Sequence, residues 1–448
     1  MTPWTFLILT FGCKVNQYES QALREHWQAC GGVETDEPAQ ADIALINSCA
    51  ITARAERDAR AALYRLEREA PQCRRILTGC SAALLAADPK LRALCHAVIP
   101  VRDKSLLLAD PRGLAGMTAA AQTAAMAGTA QPVGTAYPPF HIQGFRRARP
   151  VLKVQEGCTH RCTYCIVPSM RSVSSSRPVA EAVAEARRLL EAGYRELMIS
   201  GINLLLYGRD FQEPADFWSL MAALERELAP EWAGRARLRI SSLEPKQLRG
   251  RGLELLAESR MLCPHLHISL QSGSPAVLRR MGRGHYRPEM LTDAVAQLSR
   301  AWPRFALGAD ILMGFPGEEE AHVRETLALV DALPFTYAHV FPYSRRPGTA
   351  ADRFPNQVPQ PEKAARAARV RERIREKQLA FWQRTVQEQP DLLIALDCPE
   401  HHQAGSTGKG IDQCYVPCQL ENAPACGHGL VRARAVSVTP EGIVARRL

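Results

Sequence analysis

The sequence predicts an α/β protein: an amino-terminal parallel sheet of the flavodoxin-like, doubly wound type, a second strand-and-helix region, and a carboxy-terminal segment of short strands. Three observations carry this. From Met1 to about Pro100, and again from about Gly144 to Tyr343, short apolar runs alternate with amphipathic helical ones. That alternation marks parallel sheets covered by helices. Beyond Gln378, Val, Ile and Leu are interrupted by Gly, Pro and Asn, as in short strands joined by turns. At ~150 residues per domain the chain has room for about three domains. With 46% hydrophobic and 23% charged residues it is ordinary globular material.

In the first region Thr5 to Phe11 reads as a strand, Asn16 to Ala29 as a helix and Asp42 to Asn47 as a strand. Ala53 to Glu69 follows as a helix, then Arg75 to Thr78 and Ala97 to Pro100 as strands. The apolar run Trp4 to Leu9 has no basic region before it and no small-residue cleavage site after it, so it reads as a strand rather than a signal peptide. In doubly wound sheets, sites form at the carboxyl ends of strands. That rule sorts the cysteines. Cys13, Cys49 and Cys80 each follow a predicted strand immediately and should converge at one edge. Cys30, Cys73 and Cys95 lie at helix ends or before strands, and read as small buried or partly buried apolar residues.

A second group is local. Cys158-Thr-His-Arg-Cys162-Thr-Tyr-Cys165 follows the apolar segment Val151 to Val154. With 14 cysteines in 448 residues, such spacing is expected by chance about 0.01 times per chain. Three thiolates this close hold three corners of a metal centre and leave the fourth without a nearby cysteine. Structural zinc closes itself with four protein ligands, whereas an open position usually belongs to chemistry. The alternative is zinc completed by a distant histidine or cysteine.

Ala109 to Thr135 is rich in Ala, Gly and Thr, and Leu114 to Pro139 carries no charge, so residues 111–143 read as a linker between an amino-terminal domain (1–110) and a core (144–377). Arg146, Arg147, Arg149 and Lys153 lead into the triad, more in keeping with solvation of an entrance than with RNA phosphate. The core shows a helix at Val179 to Ala192. Its strand candidates are Val151 to Gln155, Glu196 to Ser200, Leu238 to Ser242, His265 to Leu270, Ala306 to Met313 and Tyr337 to Phe341. One of His265 and His267 is expected to face the interior, neither being needed as a ligand.

The Cys158-x3-Cys162-x2-Cys165 run resembles the signature of radical S-adenosylmethionine enzymes. The resemblance implies a partial (β/α)6 barrel and a 4Fe-4S cluster whose open iron takes S-adenosyl-L-methionine. Tyr164, before the third cysteine, is then a candidate neighbour of the adenine. Ser200-Gly-Ile-Asn203, Ser241-Ser-Leu-Glu244, Gln271-Ser272-Gly273 and Asp310 to Glu318 resemble that family's strand ends. Asn203, Glu244, Gln271 and Ser272 become candidate cofactor contacts, although Asn203 and Glu244 also suit helix caps or core hydrogen bonds. Gly12-Cys13-Lys14-Val15-Asn16-Gln17, Asn47-Ser-Cys49 and Thr78-Gly-Cys80 resemble the opening of methylthiotransferases, whose amino-terminal cysteines hold an auxiliary 4Fe-4S cluster. Two 4Fe-4S clusters are therefore implied, on Cys13, Cys49 and Cys80 and on Cys158, Cys162 and Cys165. Gly-Cys-Lys-Val-Asn-Gln is most similar to the branch acting on N6-threonylcarbamoyladenosine at position 37 of tRNA.

Residues 378–448 resemble a TRAM domain, a small RNA-binding β-barrel, around Gly405-Ser-Thr-Gly-Lys409. Lys409, Arg432, Arg434, Arg446 and Arg447 are available there for phosphate. Cys398, Cys414, Cys418 and Cys426 offer a rival zinc reading through Cys414-x3-Cys418. Lys363 to Lys377 holds seven basic and two acidic residues at helical spacing, either a path for tRNA or a solvated face. The net charge of +10 suits a polyanionic partner or simple solubility. Fourteen cysteines without a signal fit reduced thiols and the cytoplasm, and no run is long enough for a membrane span.

The family resemblance thus implies conversion of C2–H to C2–SCH3 on a tRNA anticodon-loop adenosine, started by a 5′-deoxyadenosyl radical, with an electron donor and a sulfur source as further partners. A ribosomal-protein aspartate, isopentenyl-adenosine in tRNA, a sulfur-free radical reaction and a non-catalytic RNA-binding iron–sulfur sensor are the alternatives.

Overall fold

The computed structural model describes residues 4–109, 111–116, 137–213, 215–397, 405–424 and 429–448. The chain forms two compact units, residues 1–144 with 155–160 and 165–177, and residues 145–154, 161–164 and 178–448.

In the first unit β1 (Trp4–Thr10), β2 (Gly32–Glu34), β3 (Ile43–Ser48), β4 (Arg74–Gly79) and β5 (Ala97–Val98) form one sheet in the order β2-β1-β3-β4-β5. Every pair is parallel, and the order is the flavodoxin-like one. β3 is buried at all six residues, as a central parallel strand covered on both faces must be. The short β2 escapes sequence reading because three residues show no periodicity.

Two helices flank this sheet in the chain. α2 (Ala53–Glu69) buries Ala59, Ala62, Leu63 and Leu66, a single stripe at i, i+3, i+4 and i+7. Leu63 and Leu66 pack in one cluster with Ile46 and Leu77, each worth roughly 2 kcal/mol of burial. The Thr52 side chain accepts from Ala55 N at 3.2 Å and caps the helix, contributing about 1 kcal/mol. α1 (Lys14–Ala29) buries Val15, Tyr18, Leu23 and Trp27, and also the polar Asn16, Glu19 and Ser20. Trp27 meets Phe6 edge-on at 5.3 Å. Cys73 and Cys95 lie in the apolar core as expected, where burial pushes each thiol up to about 11. Of the predicted linker, residues 117–136 lie outside the described residues. Its end is tied to α1, where the Glu25 carboxylate accepts from Gln143 N at 2.8 Å and Gly144 N at 2.9 Å.

In the second unit β8 (Glu196–Gly201) pairs in parallel with β9 (Arg237–Ile240). β10 (His265–Gln271), β11 (Ala306–Met313) and β12 (Phe335–Pro342) form a second parallel set. Bridges at Leu238–Leu262 and Leu243–Ile268 join the two sets. β6 (Val151–Glu156) begins in this unit as the neighbour of β8; its last two residues belong to the first unit, where they pair antiparallel with β7 (Ser175–Ser176). Helices Val179–Glu191, Phe217–Trp232, Arg251–Glu258, Met290–Ala301 and Glu320–Ala332 separate the strands. All six strands expected for a partial (β/α)6 barrel are present.

The helix Gln360–Glu388 runs past the basic stretch because Phe381, Trp382 and Thr385 extend its buried stripe. β13 (Asp391–Asp397), β14 (Gly408–Ile411), β15 (Pro417–Glu421), β16 (Leu430–Thr439) and β17 (Gly442–Arg447) then close a barrel in the order β13-β14-β15-β17-β16. Closure removes exposed sheet edges. Cys414 and Cys418 are buried in its apolar core, and burial pushes both thiols far above their ordinary range. They behave as core residues rather than zinc ligands. Cys398 and Cys426 lie outside the described residues. Among the described residues no helix is long and apolar enough to cross a membrane.

Candidate functional site

The strand order of the first sheet reverses between β1 and β3, the switch point at which doubly wound sheets bind ligands. Cys13 follows β1 as the N-cap of α1, Cys49 follows β3 and Cys80 follows β4. The three therefore meet at one edge. Cys49 and Cys80 are buried. Gly12, at φ +91°, has no room for a side chain, since a Cβ would fall on Cβ and Sγ of Cys49. Cys13 and Cys49 hydrogen-bond through their thiols. That bond, and then burial, hold Cys13 well above its ordinary pKa, while the same bond brings Cys49 down to about 7. Asn16 Nδ2 donates to Phe11 O at 3.0 Å and Ser48 O at 2.9 Å, and Asn47 Nδ2 donates to Asn16 O at 3.1 Å. Two buried amides thus lock the Cys13 and Cys49 loops together.

Arg171 completes this site, and sequence reading missed it. Its Nε lies 3.2 Å from Cys80 Sγ, and its other nitrogens reach Glu19 at 2.9 Å, Glu156 at 2.6 Å and Asn16 at 3.2 Å. Lys104 adds an ion pair to Glu19 and a 3.0 Å bond to Asn47. Two buried cations thus face two carboxylates and one thiol. Anionic iron–sulfur clusters are tuned by hydrogen bonds to sulfur and by burial, so a guanidinium at a ligand sulfur fits such a group. Glu19 and Lys104 stand among other polar residues in the sequence, so nothing there marks them as buried partners of Arg171.

The second cysteine group lies in the loop after β6. Cys158 N donates to the Arg171 carbonyl at 2.9 Å, so Arg171 touches a member of each cysteine set. Gly157 sits at φ +71°, where a Cβ would strike the Val173 carbonyl. In the second unit Arg283, 2% exposed, places a nitrogen 3.9 Å from Cys162 Sγ. Thr163 N donates to Met281 O at 3.0 Å, and Tyr164 packs against the cluster of Val277, Met281, Phe315 and Tyr343.

The remaining candidates stand at or just beyond the carboxyl ends of their strands. Asn203 accepts from Leu205 N at 3.1 Å and caps a short turn. Glu244 caps the turn Pro245–Gln247 and binds Arg283 at 3.0 Å. Gln271 takes φ +65° where β10 shifts register. Ser272 is buried and accepts from Ser274 N at 3.1 Å.

Some charges behave differently from expectation. Lys153 is fully buried, and Arg149 lies 3.9 Å from Asp397 and over the Tyr415 ring, so the entrance cluster is only half solvated. On the long helix Arg366, Arg369 and Arg373 pair with Glu318, Glu320 and Asp331, and Arg371 donates to Val340 O. That helix face is engaged by its own neighbours. His265 and His267 both face Tyr337, because residues two apart on a strand share a face.

A doubly wound sheet with three cysteines at one edge, and an incomplete barrel whose first strand leads into Cys158, Cys162 and Cys165, are the features of the radical S-adenosylmethionine class. Comparison with known proteins agrees. The Radical SAM superfamily matches residues 152–330, and a family described as "Uncharacterized protein family UPF0004" matches residues 5–95. A threonylcarbamoyladenosine tRNA methylthiotransferase of Chlamydia pneumoniae is 33% identical over 84% of this chain and 84% of its own length. One of Bacillus subtilis is 33% identical over 81% and 78%. A tRNA-2-methylthio-N(6)-dimethylallyladenosine synthase of Syntrophobacter fumaroxidans is 31% identical over 82% and 80%. The fold resembles that of a radical S-adenosylmethionine methyltransferase from Kitasatospora setae, solved with cobalamin and a 4Fe-4S cluster, at a TM-score of 0.55 and 15% identity over 79% of this chain and 77% of that one. The chain belongs to the radical S-adenosylmethionine methylthiotransferase family. Its cofactors are those of the family, S-adenosylmethionine and two 4Fe-4S clusters.

Proposed function

We propose that this chain converts C2–H of N6-threonylcarbamoyladenosine at position 37, in the tRNA anticodon loop, to C2–SCH3. The observation that carries the reading is the likeness, over four fifths of the chain, to relatives bearing that substrate's name. The convergence of Cys13, Cys49 and Cys80 supports the sulfur-inserting half. In this reading those three hold the auxiliary cluster, and Cys158, Cys162 and Cys165 hold the other.

Bound S-adenosylmethionine supplies radical chemistry for an aromatic C–H that offers no acidic proton to a base and no leaving group to a nucleophile. The chain's own residues bind and orient. Three thiolates per set would leave one position of each cluster without a protein ligand, one available to S-adenosylmethionine and the other to exogenous sulfur. Arg171 and Arg283 place buried positive charge at Cys80 and Cys162, and Tyr164 stands beside Cys165 as the adenine's candidate neighbour. Asn203, Glu244, Gln271 and Ser272 are proposed to line the cofactor's side of the barrel. Exposed Lys409, Arg432, Arg434, Arg446 and Arg447 offer phosphate contacts, and unstacked loop bases are what RNA-reading proteins favour. A one-electron donor and a sulfur source complete the partners, and the cytoplasm is the expected compartment.

Isopentenyl-type adenosine is the second reading, favoured by the 31% identical dimethylallyladenosine synthase. Mass spectrometry of tRNA nucleosides from cells lacking this chain separates the two. Loss of 2-methylthio-N6-threonylcarbamoyladenosine alone supports the proposal. Its persistence, in cells with no second such enzyme, overturns it.

A further inference from the structure

Alternation along β10, β11 and β12 gathers a polar set on one sheet face: His265 and His267, Asp310, Tyr337 and His339. Asp310 and His339 are direct register partners, and His267 is level with Gly308. Gly308 leaves space that Tyr337 fills, since a Cβ there would strike the Tyr337 ring. The two imidazoles and the carboxylate each bring one ligand atom within 4.8 Å of the others. His267 Nε2 stands 3.2 Å from Asp310 Oδ2, and the rings of His267 and His339 are 5.4 Å apart.

The hydrogen bonds behind these atoms fit metal ligation. Tyr337 Oη is 2.9 Å from His267 Nδ1 and 2.7 Å from His265 Nε2, but a phenol has one proton to give. If His267 Nδ1–H donates to Tyr337 and Tyr337 donates to His265, then His267 Nε2 turns a lone pair on the Asp310 carboxylate. In that tautomer a cation shared by Nε2 and the carboxylate satisfies both, whereas in the reverse tautomer the same 3.2 Å contact is an N–H···O bond, and counting bound metal separates the two. Metal bonds of roughly 2.0 to 2.2 Å place neighbouring ligand atoms about 3.0 to 3.5 Å apart, which matches the observed edge. An outer hydrogen bond that fixes the tautomer of a ligating histidine is the usual companion of such a site. Burial grades outward from His267 to the exposed His339, which gives an ion a way in. The strands hold all three side chains on a rigid sheet.

We propose that His267, Asp310 and His339 bind one divalent first-row transition-metal ion, separate from both cysteine sets, with positions open to oxygen ligands. Two imidazoles with one carboxylate and no thiolate suit Zn2+, Mn2+ or Fe2+ rather than a sulfide cluster. The inference does not depend on which adenosine is the substrate.

The test uses the cluster-loaded chain, dialysed against Mn2+ and separately against Zn2+, with metals counted by mass spectrometry. Mn2+ has little affinity for stray thiolates, so its count is specific. The expected result is one ion per chain beyond the cluster iron, bound at least about tenfold more weakly after Asp310→Asn or His339→Ala, with cluster iron unchanged. Tyr337→Phe should weaken it by about 10- to 100-fold. His339→Ala changes an exposed residue and so stays informative if Asp310→Asn misfolds. Absence of an extra ion, or an equal count in the His339→Ala chain, overturns the proposal and leaves His267 and Asp310 as an ion pair only.

Discussion

Arg171 Nε stands 3.2 Å from Cys80 Sγ, in a side chain almost entirely withdrawn from solvent. A buried guanidinium is tolerated only where its charge and its donors are met. Here Glu19 and Glu156 meet the charge, and Asn16 and the sulfur take further donors. Replacing it as Arg171→Met removes the guanidinium that both Glu19 and Glu156 bind. The expected cost is about 3 to 5 kcal/mol in denaturant unfolding. A more negative reduction potential of the auxiliary cluster should accompany it, followed by electron paramagnetic resonance. Arg171→Lys should keep part of the charge effect but lose the multidentate bonding.

Gly12 gives a sharper test of the auxiliary site. Its φ of +91° and the Cys49 side chain beside it forbid a Cβ on two independent grounds. Gly12→Ala is expected to lower bound iron from about eight to about four atoms per chain, with little change in circular dichroism. Gly31→Ala is the control. Gly31 also has positive φ, at +83°, but faces open space, so it should cost about 1 kcal/mol of strain and no iron.

Glu196 makes the second unit acid-sensitive. Burial alone would raise its pKa, but Arg237 and Arg239 overcome burial and bring it to about 2 from 4.5. A depressed carboxylate stabilises the fold above its unfolded pKa. That contribution, about 3 kcal/mol, is complete above roughly pH 5 and is lost as pH falls toward 2. The two arginines also donate to carbonyls of Leu393, Ile411, Asp412 and Gln413, tying β9 to the closing barrel. Glu196→Gln should therefore cost about 3 to 5 kcal/mol at pH 7 and flatten the loss between pH 5 and pH 3. Urea midpoints at the two pH values check both.

Parallel strands and the cysteines behind them were legible because both follow from local rules. A six-residue apolar run shows in any window, and a cysteine directly after it must lie at the strand's carboxyl end. Arg171, Glu19 and Lys104 were not legible, because a buried charge looks like a surface charge until its partner is known. Glu19 and Arg171 are 152 positions apart. Cys414 and Cys418 show the converse: a spacing that left zinc open as a rival reading belongs to core packing. His265 and His267 needed only the two-residue period to be placed on one face. Lys153 and Arg149, expected near solvent, are drawn inward by a strand interior and by Asp397 and Tyr415.

The outer face of the carboxy-terminal barrel carries the last prediction. Arg434 on β16 is the direct register partner of Arg446 on β17, and Arg432 lies two residues along from Arg434, hence on the same face. Like charges directly opposed on a sheet are unfavourable. Asp391 and Glu421 each lie 3.3 Å from one of them, but these pairs are exposed and contribute little. A phosphate backbone would relieve the repulsion over the whole strip. Joint replacement Arg432→Ala, Arg434→Ala and Arg446→Ala is therefore expected to weaken tRNA binding and to make the slope of log affinity against log salt shallower by about 2 to 3. Iron content should stay unchanged. Filter binding across a salt series measures the slope, and an unchanged slope would place the RNA contact elsewhere on the chain.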